Sequence, residues 1–275
     1  MYPVLFHLGP FPVYSFGLMM ATGFIVASYV LTKELERRGF EKDLGSHLTL
    51  FALVFGIAGS KLLYLIENWD EFMRQPSIAF SPGGLTFYGG FLLATLAIFW
   101  YARSKKIPFL QICDAAAPPL LIAYGIARVG CHLSGDGDYG LPTDLPWASV
   151  YSAGTYPPSA AFRMFPEIVQ KYGVNGVVPD DILVHPTPLY EFAICLVFFF
   201  ALVRLRKQGW PTGKLFMLYL ILSGAERFFV EFLRLNPRML FGLSEAQLIA
   251  VVLVGVGVVG MVKLSGTEQP GTRIA

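Results

Sequence analysis

Seven mostly apolar stretches dominate this chain, running approximately from Val13 to Leu31, Leu48 to Ile66, Leu85 to Ala102, Phe109 to Ala127, Leu189 to Val203, Leu215 to Leu233 and Ala246 to Val262. Crossing about 30 Å of hydrocarbon takes roughly 20 such residues in a helix, because backbone polar groups there must be satisfied within the segment. The pattern predicts an all-α, polytopic integral membrane protein with about seven transmembrane helices in a single membrane domain, residues 1–275. Composition agrees: 55% of the 275 residues are hydrophobic and only 15% charged, too few polar groups to cover a soluble domain. The formal charge of +2, with no basic run among stacking aromatics, excludes a nucleic-acid binder. Cys113, Cys131 and Cys195 fit neither a redox pair nor a zinc ligand set. The opening residues lack a basic leader and a small-residue cleavage site, so they read as mature sequence.

The long connection from Arg128 to Pro188 is rich in Gly, Pro, Ser and Asp and carries Tyr139, Trp147, Tyr151, Tyr156, Phe162 and Phe165. Its aromatics predict a structured cap between the fourth and fifth spans, since a flexible linker is poor in them. Orientation follows from lysine and arginine bias. Lys33, Arg37, Arg38, Lys42, Arg103, Lys105, Lys106, Arg204, Arg206, Lys207, Lys214, Lys263 and Arg273 fall on one side, predicted cytoplasmic. The N-terminus is then outside, the C-terminus inside, and the 128–188 cap extracytoplasmic.

An ionisable group at membrane depth costs several kcal/mol unless paired or wetted, so each is a functional candidate by default. Arg128, Arg227, Glu231, Arg234, His185 and Tyr88 all fall at span ends predicted to face outward. Arg227, Glu231 and Arg234 recur at i, i+4 and i+7, which places two cations and an anion on one helix face. Arginine's planar fork gives a phosphate two parallel hydrogen bonds, so Arg128 and Arg227 together can hold a phosphodiester. In GGLTFYGG, Gly89 and Gly90 allow close packing beside Tyr88. In HPTPLYE, Thr187 reads as a cap, Pro188 as the first helical residue and Glu191 as a first-turn anion. Asp136 and Asp138 fall short of a calcium loop; no metal is expected. Lys61, Glu67 and Asp114 read equally well as structural or functional polar groups.

The ordered set SFGLMM, GSKLLYLIEN, GGLTFYGG, Asp114 with Pro118, ARVGCHLSGDGDYG, HPTPLYE and RFFVEFLR resembles the prolipoprotein diacylglyceryl transferase family over nearly the whole chain. The resemblance implies transfer of the diacylglyceryl group of phosphatidylglycerol to the lipobox cysteine thiol of a prolipoprotein, leaving a thioether and glycerol phosphate. It implies a bacterial inner-membrane enzyme with no cofactor. The catalytic set it implies is Tyr88, Arg128, Arg227 and His185. Substrate contacts would come from Arg128, Asp136, Gly140, Tyr190, Glu231, Arg234, Gly89 and Gly90. Phe16, Cys131, Pro188 and Ser223 depart from the better-known pattern, each replacing a hydrogen-bonding side chain. An anion or lipid transporter and a catalytically silent lipid-binding relative are the alternatives.

Overall fold

The computed structural model describes residues 1–81 and 83–266; Arg273, expected on the cytoplasmic side, lies outside them. In chain order the elements are β1 (Val4–Leu8), β2 (Phe11–Tyr14), α1 (Ser15–Arg37), α2 (Leu44–Glu67), α3 (Trp69–Arg74), α4 (Phe87–Ser104) and α5 (Phe109–Ser134). There follow β3 (Ser149–Val150), α6 (Pro158–Ala161), α7 (Pro166–Tyr172), β4 (Leu183–Val184), α8 (Thr187–Leu205), α9 (Lys214–Val230) and α10 (Glu245–Ser265). Among the described residues, α1, α2, α5, α8 and α10 are long and apolar enough to cross a membrane. The protein is therefore helical and membrane-embedded, and among the described residues its strands are short.

Two compact units divide the chain, one of residues 1–27 with 116–275 and one of 28–115. In the second unit α2 and α4 pack through glycine. A Cβ on Gly59 would collide with the Gly89 carbonyl, one on Gly89 with the Gly59 carbonyl, and one on Gly90 with Ser60. Small residues of this kind let membrane helices approach closely. The ammonium of Lys61 donates to the Ser81 carbonyl and hydroxyl at 3.0 Å each and to the Gly83 carbonyl at 2.8 Å, tying down the turn before α4. Near the end of α1, Glu34 is fully buried and accepts from Arg37 at 2.6 Å and Arg38 at 2.8 Å. Asp114 lies 3.8 Å from Arg38.

In the first unit the residues between α5 and α8 fold around their own core. Tyr139, Tyr151, Phe162, Val178 and Val184 are almost wholly buried, the two tyrosine rings lie 4.5 Å apart, and β3 pairs antiparallel with β4. The Tyr139 hydroxyl donates to the Tyr156 carbonyl at 2.8 Å, and His132 Nδ1 meets the Tyr151 hydroxyl at 2.8 Å, so the buried polar tips are satisfied. The turn out of α5 depends on Gly135, whose φ of +60° belongs to the left-handed region and whose Cβ would strike Gly154.

Three local expectations are corrected. Helix α5 continues to Ser134 rather than closing at Arg128, so Arg128 lies more than a turn inside it. Helix α9 ends at Val230, and Glu231–Leu233 form a 3-10 turn after which Arg234 is extended. The charged stripe therefore leaves the α-helix, because the backbone at 233 and 234 is drawn into pairing with Gly140 and Leu141. At α8 the N-cap is Pro186 and the first turn holds no acidic residue. Thr187 instead donates its hydroxyl to the Asp138 carbonyl at 2.6 Å, which leaves Glu191 one turn further in.

Candidate active site

Four segments of the first unit bring charged side chains to one cluster. From α5, Arg128 bonds Asp138 through Nη1 and lies 2.5 Å from Glu191 Oε2 through Nε. Its guanidinium also stacks over the Tyr124 ring at 4.7 Å, and the Tyr124 hydroxyl donates to the same Glu191 oxygen at 3.0 Å. From α9, Arg227 reaches Glu191 Oε1 at 3.4 Å and Glu231 Oε2 at 2.9 Å. Arg234 donates to Glu191 Oε1 at 3.0 Å and to Asp138. Glu191 is the hub, touched by all three arginines.

Charges and burial decide what such a cluster can do. Three guanidinium groups face three carboxylates, so the set is close to neutral and its burial is tolerable. The carboxylate side chains of Glu191 and Glu231 are 0% exposed, whereas those of Arg128, Arg227 and Asp138 are 17%, 23% and 31% exposed. The open face thus consists of two arginines and the most accessible carboxylate. An incoming anion meets donors already held in place by buried partners, the preorganisation that makes electrostatic stabilisation effective.

The partners of Glu231 are equally specific. Its Oε1 accepts from Asn236 at 2.7 Å and from the Ser244 hydroxyl at 2.6 Å. Ser244 is also the N-cap of α10, closed by a capping box with Gln247, and Gln247 accepts from Arg238 at 2.7 Å. The end of α9 and the start of α10 are thereby locked to the arginine cluster.

The loop carrying Asp138 is clamped by backbone bonds. Gly140 N–H donates to the His185 carbonyl at 2.8 Å, Leu141 N–H to the Leu233 carbonyl at 2.8 Å, and His185 N–H to the Leu141 carbonyl at 3.0 Å. A Cβ on Gly140 would fall on the Leu233 carbonyl, Thr187 and His185, so only glycine fits. Desolvation opposes ionisation of Asp138, but the guanidinium groups of Arg234 and Arg128 outweigh it and hold the carboxyl below its ordinary range. Asp136 behaves oppositely: burial, then the neighbouring Asp138 charge, push it up. Its Oδ1 accepts the Asp138 N–H at 3.3 Å. Ligand atoms of Cys131, Asp136 and Asp138 lie within 4.8 Å of one another, but Asp138 is already engaged by two cations, which opposes a metal ion there.

His185 and Tyr190 form a separate polar chain. Trp147 Nε1–H donates to the Tyr190 hydroxyl at 2.8 Å, and that hydroxyl lies 3.2 Å from His185 Nδ1. The Tyr190 hydroxyl accepts from Trp147 and keeps both a proton and a second lone pair for His185 Nδ1, so it can meet either tautomer of the ring. Burial holds the His185 pKa below its usual value, in keeping with a neutral ring.

The structure brings Arg128, Arg227 and Arg234 onto Glu191, pairs Glu231 with Arg227, and places Gly140 in the clamp beside His185. Tyr190 stands on His185, and Asp136 turns onto the Asp138 N–H rather than forming the centre of the charge network. Tyr88, Gly89 and Gly90 lie in the second unit, at the start of α4. Glu191 and Asp138 are cluster members that the sequence presented only as a first-turn anion and as part of an incomplete calcium loop. The signal for Glu191 was present as an ionisable residue inside an apolar span.

Fold and cluster together define a helical membrane protein with a preorganised, partly open arginine site. The chain belongs to the prolipoprotein diacylglyceryl transferase family, whose model matches residues 3–263. The phosphatidylglycerol–prolipoprotein diacylglyceryl transferase of Bacillus cytotoxicus is 32% identical over 272 residues, covering 98% of this chain and 94% of the relative. That of Clostridium tetani is 30% identical over 260 residues, covering 94% and 96%, and that of Leptospira interrogans is 30% identical, covering 88% and 86%.

Proposed function

We propose that this protein transfers the diacylglyceryl group of phosphatidylglycerol to the lipobox cysteine of prolipoproteins in a bacterial cytoplasmic membrane. The observation that carries the reading is the collection of Arg128, Arg227 and Arg234 on Glu191 in a chain of this family. In the reaction the substrate's sulfur attacks the terminal glyceryl carbon and the carbon–oxygen bond to phosphate breaks. The electron pair goes to the departing glycerol phosphate, and the thiol proton leaves to a base. Charge therefore grows on phosphate oxygens in the transition state, and arginines fixed at that place stabilise it more than the ground state.

We assign Arg128 and Arg227 to the phosphate, with Arg234, Glu231 and Glu191 holding them in position. Gly140 and Asp136 shape the adjoining turn, and Tyr190 orients His185. His185 accepts the thiol proton at Nε2 when its ring proton sits on Nδ1 facing the Tyr190 hydroxyl. Tyr88 is the other candidate for handling the proton, with Gly89 and Gly90 setting its helix against α2. Activity of Tyr88→Phe and His185→Gln, measured side by side, separates the two.

The finer topology belongs to the same proposal. Seven helices cross the membrane, α4 and α9 joining the five that are apolar and long enough by themselves. The N-terminus is outside, the C-terminus cytoplasmic, and residues 128–188 and the arginine cluster lie toward the outer face, as the lysine and arginine bias supports. Complementation tests the function: expression in cells depleted of their own diacylglyceryl transferase restores lipoprotein maturation. Stable, membrane-inserted protein without maturation contradicts it.

A further inference from the structure

The strands β1 and β2 form an antiparallel hairpin pairing Phe6 with Val13, His7 with Pro12 and Leu8 with Phe11. Side chains alternate across a pleated pair, and directly opposed residues share a face. Phe6, Leu8, Phe11 and Val13 therefore line one face, and His7 and Pro12 the other. Every residue of β1 is exposed, with Leu8 at 64% and Phe11 at 72%. A lone hairpin with an uncovered apolar face is marginal in water. Residues 1–14 also contain no Asp, Glu, Lys or Arg, so nothing on the segment favours a charged partner.

The attachment of the hairpin says what covers that face. Tyr14 leads directly into Ser15, the first residue of α1. Ser15 N–H bonds the Pro3 carbonyl at 2.9 Å, and Tyr2 N–H bonds the Leu133 carbonyl, near the end of α5, at 2.8 Å. Both α1 and α5 are of membrane-crossing length and apolarity, so a hairpin fixed to their ends stands at head-group level. Aromatic side chains are favoured at that depth.

We propose that the Phe6, Leu8, Phe11 and Val13 face of the hairpin inserts into the head-group and upper acyl region of the bilayer beside the end of α5, with the His7 face toward water. The hairpin then holds lipid next to the helix that carries Arg128. The inference rests on the membrane reading of α1 and α5 and is independent of the transferase reading.

Full-length protein carrying a nitroxide at Leu8→Cys, Phe11→Cys or His7→Cys, reconstituted into vesicles of phosphatidylglycerol and phosphatidylethanolamine, tests it by power saturation. The native cysteines are buried, and protein without an added cysteine supplies the background. The expected result is stronger relaxation by oxygen than by a water-soluble nickel chelate at positions 8 and 11, with the reverse at position 7. Dominant nickel relaxation at 8 and 11 would overturn the proposal by showing a water-exposed face. Exclusion of both agents with dipolar broadening would overturn it in favour of a second copy on the hairpin.

Discussion

Gly140 and Arg234 face one another as an antiparallel bridge pair, and this backbone contact delivers the Arg234 side chain to Asp138 and Glu191. The charge cluster is thus built on a backbone clamp as well as on side-chain attraction. Replacing Gly140 with Ala sets a methyl group against the Leu233 carbonyl. Overpacking of this kind costs about 1–3 kcal/mol. Thermal unfolding in detergent is expected to drop accordingly, with transfer activity falling further because Asp138 and Arg234 separate.

Arg128 joins α5 to both Asp138 and Glu191. Arg128→Ala removes a positioned cation, and loss of one such group lowers turnover by about 10²–10³. Arg128→Lys is expected to recover little, since an ammonium cannot span two partners in the fixed fork geometry. Turnover beside a membrane-extraction control checks this; near-normal activity of the alanine variant would count against the phosphate assignment.

Ser244 does two jobs, accepting the Gln247 N–H at 3.3 Å as the α10 cap and donating to Glu231 at 2.6 Å. Ser244→Ala loses a cap worth about 1 kcal/mol and a bond to a buried carboxylate worth about 1.5–3 kcal/mol. Unfolding measured beside Ser244→Thr, which keeps the hydroxyl, separates these losses from a general effect of substitution. The threonine variant is expected to retain most of the stability.

The pH dependence of the cap follows from His185. Its folded-state pKa is depressed by burial, so its contribution to stability is fully present above the unfolded value of about 6.5 and is lost as pH falls through the lower folded value. Tyr190→Phe leaves that burial in place, and the His185 pKa is expected to stay below its ordinary value. Imidazole proton shifts followed against pH in both proteins check this; a return to the ordinary value in the variant would make Tyr190, rather than burial, the cause.

The apolar runs made the long helices readable before any coordinates, because a bilayer leaves the backbone few choices. The hairpin was not readable: Val13 belongs to an apolar run continuous with α1, and strand pairing depends on the turn at Gly9, whose φ is +61°. In the site, Arg128, Arg227, Glu231 and Arg234 stood out as charges at membrane depth. Glu191 carries the same signal, but its place as the hub depends on three arginines far away in the chain. Whether Asp136 or Asp138 meets the arginines is decided by a turn in which Gly137 takes φ +92°, a choice that residue spacing does not encode.

Transfer of a diacylglyceryl group to a cysteine thiol is the activity on which the residue roles proposed above depend. Purified protein incubated with phosphatidylglycerol and a lipobox peptide, followed by mass spectrometry, measures it directly. The expected product is a peptide heavier by one diacylglyceryl group on its cysteine, with release of glycerol phosphate and loss of both products in Arg128→Ala. Unmodified peptide, under conditions in which the Bacillus cytotoxicus relative modifies it, would contradict transferase activity.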